Sequence, residues 1–211
     1  MPEPRFQRRK LDRPAEIAEA ALEAFAENGY AATRVDDVAK RAGVSKGLLY
    51  LYFKTKEELF KAVIRSFVVP KIEQIAIAVD KSDLGAEEFF RGPFLSFIKT
   101  LPNSRARVVV RLMIAEGPRH PDLTAFYWEN VVSRGLDALR KIVARGVRNG
   151  EFRATAIEEY PQLLVSPVIL ALIWNLLFGE MEKLNTDRFL ETHVDAMLDH
   201  LRVRADAGAN S

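Results

Sequence analysis

Hydrogen-bond donors gather on a short apolar stretch between residues 44 and 56 of the sequence. Lys46 follows Ser45 directly, Tyr50 and Tyr52 come next, and Lys54 lies just beyond them. Ammonium and phenol groups donate to phosphate oxygens, and a helix with such an edge fits the DNA major groove. The pattern therefore predicts a helix that contacts DNA.

Local signals predict two short helices joined by a tight turn in this region. Val35, Val38 and Ala39 form an apolar stripe of helical spacing. Gly43 is suited to the left-handed conformation that ends a helix, and Ser45 is suited to cap the next one. The first helix is thus expected to end before Gly43 and the second to begin after Ser45.

Two pairs of residues have the spacing of capping boxes. Thr33 precedes Asp36 by three positions, although Asp is shorter than the usual Glu or Gln. Thr55 precedes Glu58 by the same spacing, with the standard acid. The second pair predicts the start of a further helix at Lys56.

The sequence shows few features of a catalytic or metal-binding site. Its lack of cysteine excludes disulfides, thiolate zinc sites and a cysteine nucleophile, and suits a reducing cytoplasm. The histidines are His120, His193 and His200, and the last two would lie about 10 Å apart on a helix, too far to share one metal directly. No Gly-rich phosphate loop, HExxH or GxSxG motif occurs. We therefore expect no metal, no cofactor and no enzymatic activity.

Charge and hydropathy add two further expectations. The net charge is only +2, but basic residues crowd the start of the chain, at Arg5, Arg8, Arg9, Lys10 and Arg13. Residues 1–11 are therefore read as a flexible basic arm, which either lies along phosphates or is simply solvated. The most apolar run, LLVSPVILALIWNLLF at 163–178, is shorter than the ~20 residues of a membrane span and is interrupted by polar residues and proline. It predicts a buried or interface helix of a cytoplasmic protein.

Helical periodicity continues along the whole chain, and no segment shows sustained alternation with hairpin turns. The fold class is therefore predicted to be all-α, with about nine helices. The first helix is expected at Asp12 to Asn28, a long fourth helix to bend at Pro70, and the fifth to be disturbed at Gly92-Pro93. A frayed tail is expected at 206–211.

A longer pattern encloses the two short helices and runs without a gap from about residue 12 to residue 65. Its parts are Phe25-Ala-Glu-Asn-Gly-Tyr30, Thr33, Val38-Ala39, Ala42-Gly-Val-Ser-Lys-Gly47, Leu49-Tyr50, Phe53-Lys54 and Lys56-Glu-Glu-Leu59. The pattern resembles the TetR-type helix-turn-helix of bacterial transcriptional repressors. The remaining two thirds resemble that family only in being an all-α bundle of suitable length.

The resemblance implies a homodimer that binds a palindromic double-stranded DNA operator and releases it when a small effector binds. In that pattern Lys46, Gly47 and Tyr50 match the recognition helix, Thr33 matches a phosphate contact, and Lys54 matches the lysine that follows. The complete set of candidate DNA-binding residues is Thr33, Arg34, Val44, Ser45, Lys46, Gly47, Leu48, Tyr50, Tyr52, Lys54 and Lys56.

The chain departs from the common pattern at two places in the recognition helix. Leu48 stands where a small or polar residue is frequent, and the common Tyr-x-His-Phe ending is here Tyr50-Leu51-Tyr52-Phe53. Tyr52 can still donate to phosphate, whereas Leu51 cannot. Leu48 could contact thymine methyl groups, as apolar side chains do.

The domain division expected from these patterns places a DNA-binding domain at 12–58 and a ligand-binding and dimerisation domain at 59–205. Large apolar residues and one acid are candidates for lining an effector pocket, and they suggest a largely apolar effector. They are Phe90, Phe94, Phe97, Met113, Glu116, Phe126, Trp128 and Trp174.

Dimerisation is expected through the last two helices. The helix at 163–178 is apolar nearly all round, so it must bury two faces, one of them against a partner. A four-helix interface with the final helix would complete the contact. The candidate interface residues are Leu163, Val168, Leu172, Phe178, Val194, Met197 and Leu201.

Three other functions remain open at this point. An enzyme would show sustained turnover of a small molecule. A carrier of apolar ligands with a vestigial helix-turn-helix would tolerate loss of Lys46 and Tyr50. An architectural DNA binder that ignores ligands would show no sequence preference.

Overall fold

The computed structural model describes the backbone of residues 5–203 and the side chains from residue 13 onward. Every regular element in this part of the chain is a helix, apart from one isolated bridge between Phe152 and Arg202. The helices are α1 (Arg5–Ala32), α2 (Val35–Arg41), α3 (Lys46–Tyr52), α4 (Lys56–Phe67), α5 (Val69–Lys81), α6 (Ala86–Phe89), α7 (Leu95–Thr100), α8 (Ala106–Glu116), α9 (Pro121–Tyr127), α10 (Ser133–Arg148), α11 (Gln162–Phe178) and α12 (Thr186–Leu201).

The all-α prediction is confirmed for the described residues, and some of these helices run into one another. Helix α6 continues into α7 through a π-helical turn at Phe90–Phe94, and α9 continues into α10 through another at Trp128–Val132. The first of these turns contains the predicted disturbance at Gly92-Pro93, because proline removes one hydrogen bond of the regular helix. None of the described helices has the length and apolar character needed to cross a membrane.

Several boundaries differ from the predicted ones. Helix α1 already begins at Arg5, within the predicted arm, and Gly29 breaks its geometry with a φ of 75°. The predicted bend at Pro70 is a break at Val68 instead, and Pro70 lies in the first turn of α5, where a missing N–H is tolerated. Residues 1–4 of the predicted arm and the predicted tail at 206–211 lie outside the described residues.

The described chain forms two compact units, and each is discontinuous in sequence. The first unit runs through Lys71 and resumes at Arg105–Val131, and the second contains Ile72–Ser104 and the chain from Val132 onward. The units therefore follow a different division from the predicted functional domains at 12–58 and 59–205, which stay a prediction.

Helix α1 is the centre of the first unit, where α2, α4 and α8 pack against it. Its residues Ile17, Ala21 and Phe25 are fully buried. The Phe25 ring lies edge-on to Phe60 of α4 at 5.4 Å between centroids, and Tyr30 lies 5.4 Å from the same ring. This aromatic cluster fixes α4 against the end of α1.

The second unit has its own core, made by α6, α7, α10, α11 and α12 with part of α5. Phe90 and Phe94 are buried in it and contact each other edge-on at 5.1 Å. Gly146 of α10 allows Phe152 to approach closely, since a Cβ atom there would lie 2.3 Å from the Phe152 ring. The packing of Phe152 on α10 therefore requires glycine at position 146.

An ion cluster at the edge of the second unit joins α6 to the end of α12. The Glu87 carboxylate accepts hydrogen bonds from Arg202, at 2.9 Å from Nε, and from Arg91, at 3.1 Å from Nε. Arg91 also pairs with Asp195 of α12. The hydrogen bond from Arg202, assisted by that from Arg91, lowers the pKa of Glu87 from its usual 4.5 to about 2.

We expect this cluster to make stability depend on pH. Because the pKa of Glu87 is lowered in the folded state, its contribution is present above pH 4.5 and is lost as the pH falls towards about 2. Glu87→Gln should therefore be less stable than wild type at neutral pH, and the difference should shrink steadily as the pH falls from 4.5 towards 2. Urea unfolding of both proteins between about pH 7 and pH 2.5 measures this.

The exposed neighbour Glu88 offers the matched control, since it is not one of the partners in this ion cluster. Glu88→Gln should leave the free energy of unfolding within about 0.5 kcal/mol of wild type at every pH. A Glu87→Gln difference that stays constant with pH would contradict the assigned role of the carboxylate.

Candidate DNA-binding surface

The turn between α2 and α3 has the predicted chemistry. Gly43 adopts a φ of 64°, and the N–H of Val44 donates to the carbonyl of Ala39 at 3.0 Å. The Ser45 hydroxyl accepts from the N–H of Leu48 at 3.1 Å and so caps α3. Both predictions, the glycine ending and the serine cap, are confirmed. The turn thereby fixes the direction in which α3 leaves α2.

Helix α3 is attached through one residue, Leu49, which is fully buried. Since helix positions turn by about 100° per residue, Gly47 and Leu51 lie on the opposite side. We call these two residues the crest of α3. The Leu51 side chain is 73% exposed, and nothing lies within 4 Å of where a Cβ of Gly47 would be.

The flanks of the crest carry the hydrogen-bonding side chains. Lys46 and Tyr50 lie on one flank, and Leu48 and Tyr52 lie on the other. Lys46 is exposed and pairs with Asp36 at 2.8 Å, and this hydrogen bond raises the pKa of Lys46. Because both partners of the pair face water, a phosphate can replace Asp36 at small cost.

Helix α2 is tied to α1 by Arg41, whose guanidinium donates to Glu27 at 2.8 Å and to Glu23 at 3.3 Å. Arg34 at the start of α2 is exposed, as are Lys54 and Ser45, whereas Val44 is half-buried. The exposed cations Arg34, Lys40, Lys46 and Lys54 thus belong to the α2–α3 segment and its borders, where they are available to phosphates.

The prediction for Thr33 has to be revised. Its side chain is buried, at 3% exposure, and its hydroxyl lies 2.6 Å from the Gly29 carbonyl and 3.1 Å from that of Ala24. Arg34 occupies the cap position of α2 without a side-chain bond, so the capping box predicted with Asp36 is absent. A hydroxyl directed at the carbonyls of α1 is not available to a phosphate.

Lys56 also has a different role from the predicted DNA contact. Its ammonium donates to the carbonyls of Tyr30 at 2.8 Å, Ala31 at 3.0 Å and Thr33 at 3.2 Å. The same group lies 4.7 Å from the centroid of the Tyr30 ring, and burial lowers the pKa of Lys56. Lys56 therefore binds the end of α1, where helix carbonyls lack partners.

The capping box at Thr55 is confirmed with one variation. The Thr55 hydroxyl accepts from the N–H of Glu58 at 3.1 Å, and the Glu58 carboxylate accepts from the N–H of Lys54. The carboxylate thus reaches one residue further back than the usual box. This fixes the backbone at Lys54 and leaves its side chain exposed.

The candidate pocket residues divide between the two units. Phe90, Phe94, Phe97 and Trp174 belong to the second unit, and Met113, Glu116, Phe126 and Trp128 belong to the first. Phe90 and Phe94 are core residues, and the Trp174 indole donates to the Glu182 carbonyl at 3.1 Å. Trp128 is 53% exposed, and Glu116 pairs with Arg119. An effector site at these residues stays a prediction.

Four of the candidate dimer residues have to be corrected. Val168, Val194, Met197 and Leu201 are buried in the core of their own unit. Helix α12 has a single apolar face, and that face is used within the subunit. By contrast, Leu163 and Phe178 of α11 are exposed, and Leu172 is half-buried.

The outer side of α11 is an apolar stripe that the sequence predicted only in part. One side of the helix, including Leu164, Val168 and Ala171, is buried. The other side carries the residues that we call the α11 stripe, which are Leu163, Ile169, Leu170, Ile173, Leu176 and Leu177. Helical spacing of three and four residues along the sequence is the signal that assigns them to one side.

We expect the end of α1 to depend on the Lys56 ammonium. Lys56→Met keeps much of the aliphatic stem but leaves the carbonyls of Tyr30, Ala31 and Thr33 without this donor. The free energy of unfolding should fall by about 1–3 kcal/mol, measured by urea unfolding.

Lys54→Met is the matched control, since the Lys54 side chain is exposed two residues away. It should change the free energy of unfolding by less than about 0.5 kcal/mol. Equal stability of the two variants would show that the bonds of Lys56 contribute nothing.

Comparison with known proteins supplies the identity of the fold. The model for bacterial regulatory proteins of the tetR family matches residues 17–63, and the tetracyclin repressor-like C-terminal domain model matches residues 94–202. The fatty acid metabolism regulator protein of Bacillus subtilis is 27% identical over 147 residues, covering 69% of this chain and 74% of that protein. The transcriptional repressor KstR2 of Mycolicibacterium smegmatis is 30% identical over 141 residues, covering 65% of this chain and 66% of that protein.

The solved structures agree with these matches at the level of the fold. The Bacillus subtilis regulator FadR, in complex with stearoyl-CoA, superposes with a TM-score of 0.74 at 20% identity, covering 88% of this chain and 98% of that one. The two family models together span both the helix-turn-helix and most of the helical bundle that follows it. The chain therefore belongs to the TetR family of transcriptional regulators.

Proposed function

We propose that the protein is a homodimeric repressor that binds a palindromic operator and is released by a small, largely apolar effector. The observation that carries the proposal is α3, a helix held by one buried leucine with its opposite side exposed. Lys46 and Tyr50 on one flank and Tyr52 on the other place phosphate donors on both sides of a crest that can enter the major groove.

Electrostatics supports DNA as the partner of this surface. The net charge of the chain is only +2, so no general basic field attracts nucleic acid. The exposed cations Arg34, Lys46 and Lys54 instead lie on or beside the two short helices. Phosphate contacts made by these groups fix the position of the protein, and base contacts made by the crest select the sequence.

Dimerisation is supported by the α11 stripe. Its leucine and isoleucine side chains are 40–60% exposed at Ile169, Leu170, Leu176 and Leu177. Contiguous apolar surface of this kind is typical of interfaces, and a helix paired with its own copy gives the twofold symmetry that a palindrome requires.

The effector class is supported by the relatives. KstR2 is named a repressor, and FadR was solved with stearoyl-CoA, a ligand with a long apolar chain. In this chain the helical bundle at 94–202 matches a tetracyclin repressor-like C-terminal domain. We propose that the effector of this protein binds within that domain.

Selection of bound duplexes from a random pool tests the main proposal. We expect a palindromic consensus, and release of the selected duplex by an apolar small molecule such as a long-chain acyl-CoA. Log affinity should fall with log salt, and Lys54→Ala should reduce the slope by about 0.9 for each phosphate that the variant no longer neutralises. Recovery of duplexes without any consensus would refute a sequence-specific repressor.

A charge introduced into the α11 stripe should break the dimer. Leu170 is 50% exposed, so Leu170→Arg is tolerated by the subunit but buries a charge in the proposed interface. Light scattering should give a dimer for wild type and monomer or aggregate for the variant.

Ile77→Arg provides the control, because Ile77 is 52% exposed in the same unit but lies on α5, outside the stripe. It should remain a dimer. A dimeric Leu170→Arg protein with unchanged dissociation would place the interface elsewhere.

A further inference from the structure

The crest of α3 lacks any side-chain hydrogen-bonding group. Gly47 has no side chain, and Leu51 offers only alkyl groups at 73% exposure. Both lie opposite the buried Leu49, so they are the part of α3 that projects furthest from the protein. A helix that enters a groove in this orientation presents Leu51 to the base edges.

The chemistry of the major groove leaves few partners for such a group. Each base pair shows acceptors and donors there, and thymine alone adds a C5-methyl group. An alkyl side chain against a polar base edge removes water without replacing its hydrogen bonds, which is unfavourable. Contact between two alkyl groups is favourable because both leave water.

From this geometry we infer that Leu51 determines operator specificity by contacting a thymine methyl group in each half-site. The inference rests on the proposed function, because it requires that α3 is the helix that reads DNA. Gly47 supports it, since the absence of a side chain one turn earlier lets the helix backbone approach the groove closely. The reach of Leu51 towards the bases increases accordingly.

The surroundings of Leu51 favour a nucleic acid over a protein partner for this apolar group. The exposed Lys46 lies on the same short helix, and the exposed Lys54 follows its end. Apolar contacts between proteins are usually depleted of lysine at their centre. Because cations flank Leu51, a thymine methyl group between phosphates suits it better as a partner than an apolar protein surface does.

Leu48 is the competing candidate for a methyl contact. It lies on the flank with Tyr52 and is half-buried, whereas Leu51 is exposed. The two leucines are three positions apart and would meet different base pairs. The structure thus assigns the methyl contact to Leu51, and the two assignments are separable by mutation.

Replacement of thymine by deoxyuridine, which removes only the C5-methyl group, tests the inference. In the operator recovered by selection, thymines are replaced symmetrically, one position at a time, and the dissociation constant is measured. We expect one position at which affinity falls about fourfold per half-site, the factor that corresponds to the ~0.8 kcal/mol of one buried methylene-sized group. Replacement in both half-sites should give about fifteenfold if the two are independent.

The variant Leu51→Ala completes a double-mutant cycle. It should bind the thymine and deoxyuridine operators equally at that position, because the methyl group no longer has its partner. Its melting curve should match wild type, since Leu51 is not part of the core. Lys54→Ala should weaken binding to both duplexes and keep their ratio.

The outcomes distinguish a failure of the inference about Leu51 from a failure of the proposed function. If an operator is bound but no thymine methyl contributes, or if Leu51→Ala keeps the thymine preference, the inference is overturned and the repressor proposal stands. If Leu48→Ala removes the preference and Leu51→Ala does not, the contact belongs to Leu48 and the inference is likewise wrong. If no duplex is selected at all, the proposed function and the inference both fail.

Discussion

The ammonium group of Lys56 holds the DNA-binding part of the molecule together where α1 ends. A helix leaves its last carbonyls without partners inside the helix, and here one side chain of α4 donates to those of Tyr30 and Ala31 and to that of Thr33 just beyond the helix. The Phe25, Tyr30 and Phe60 rings pack beside this bond. The start of α4 is therefore fixed relative to the point from which α2 departs.

The position of α3 follows from that constraint in a few steps. Buried Thr33 binds back to α1, Arg41 ties α2 to Glu27, and the left-handed Gly43 turns the chain towards the Ser45 cap. Each link is a hydrogen bond or a backbone angle between neighbouring elements. Helix α3, with only seven residues and one buried side chain, takes its orientation from these links and contributes little to them.

Part of this arrangement of α2, α3 and α4 can be predicted from the sequence, because it depends on local chemistry. Gly43, Ser45 and the Thr55–Glu58 pair act on backbone groups within a few residues, so their types and spacing define their roles. Lys56 is different, because the sequence predicts it as a DNA contact, whereas its ammonium donates to the carbonyls of Tyr30, Ala31 and Thr33. Only the packing of α4 on α1 decides that Lys56, rather than Lys54, faces the protein.

Packing also explains why several of the dimer-interface residues predicted in α11 and α12 have to be corrected. Val194, Met197 and Leu201 have the spacing of an apolar face, but a face does not reveal whether its own subunit or another covers it. Helix α11 is different, since apolar residues all round cannot be covered from one side. The sequence therefore predicts that α11 has an outward side but not which residues lie on it, since Val168, predicted at the interface, is buried.

The α11 stripe has a consequence for how much active protein a cell contains. A lone subunit would keep Leu170, Leu176 and Leu177 in contact with water, which would make it prone to aggregation and to proteolysis. The proposed pairing of two subunits would be second order in subunit concentration, so slow synthesis would favour loss and rapid synthesis would favour survival. The abundance of the paired form would then rise more steeply than its rate of translation.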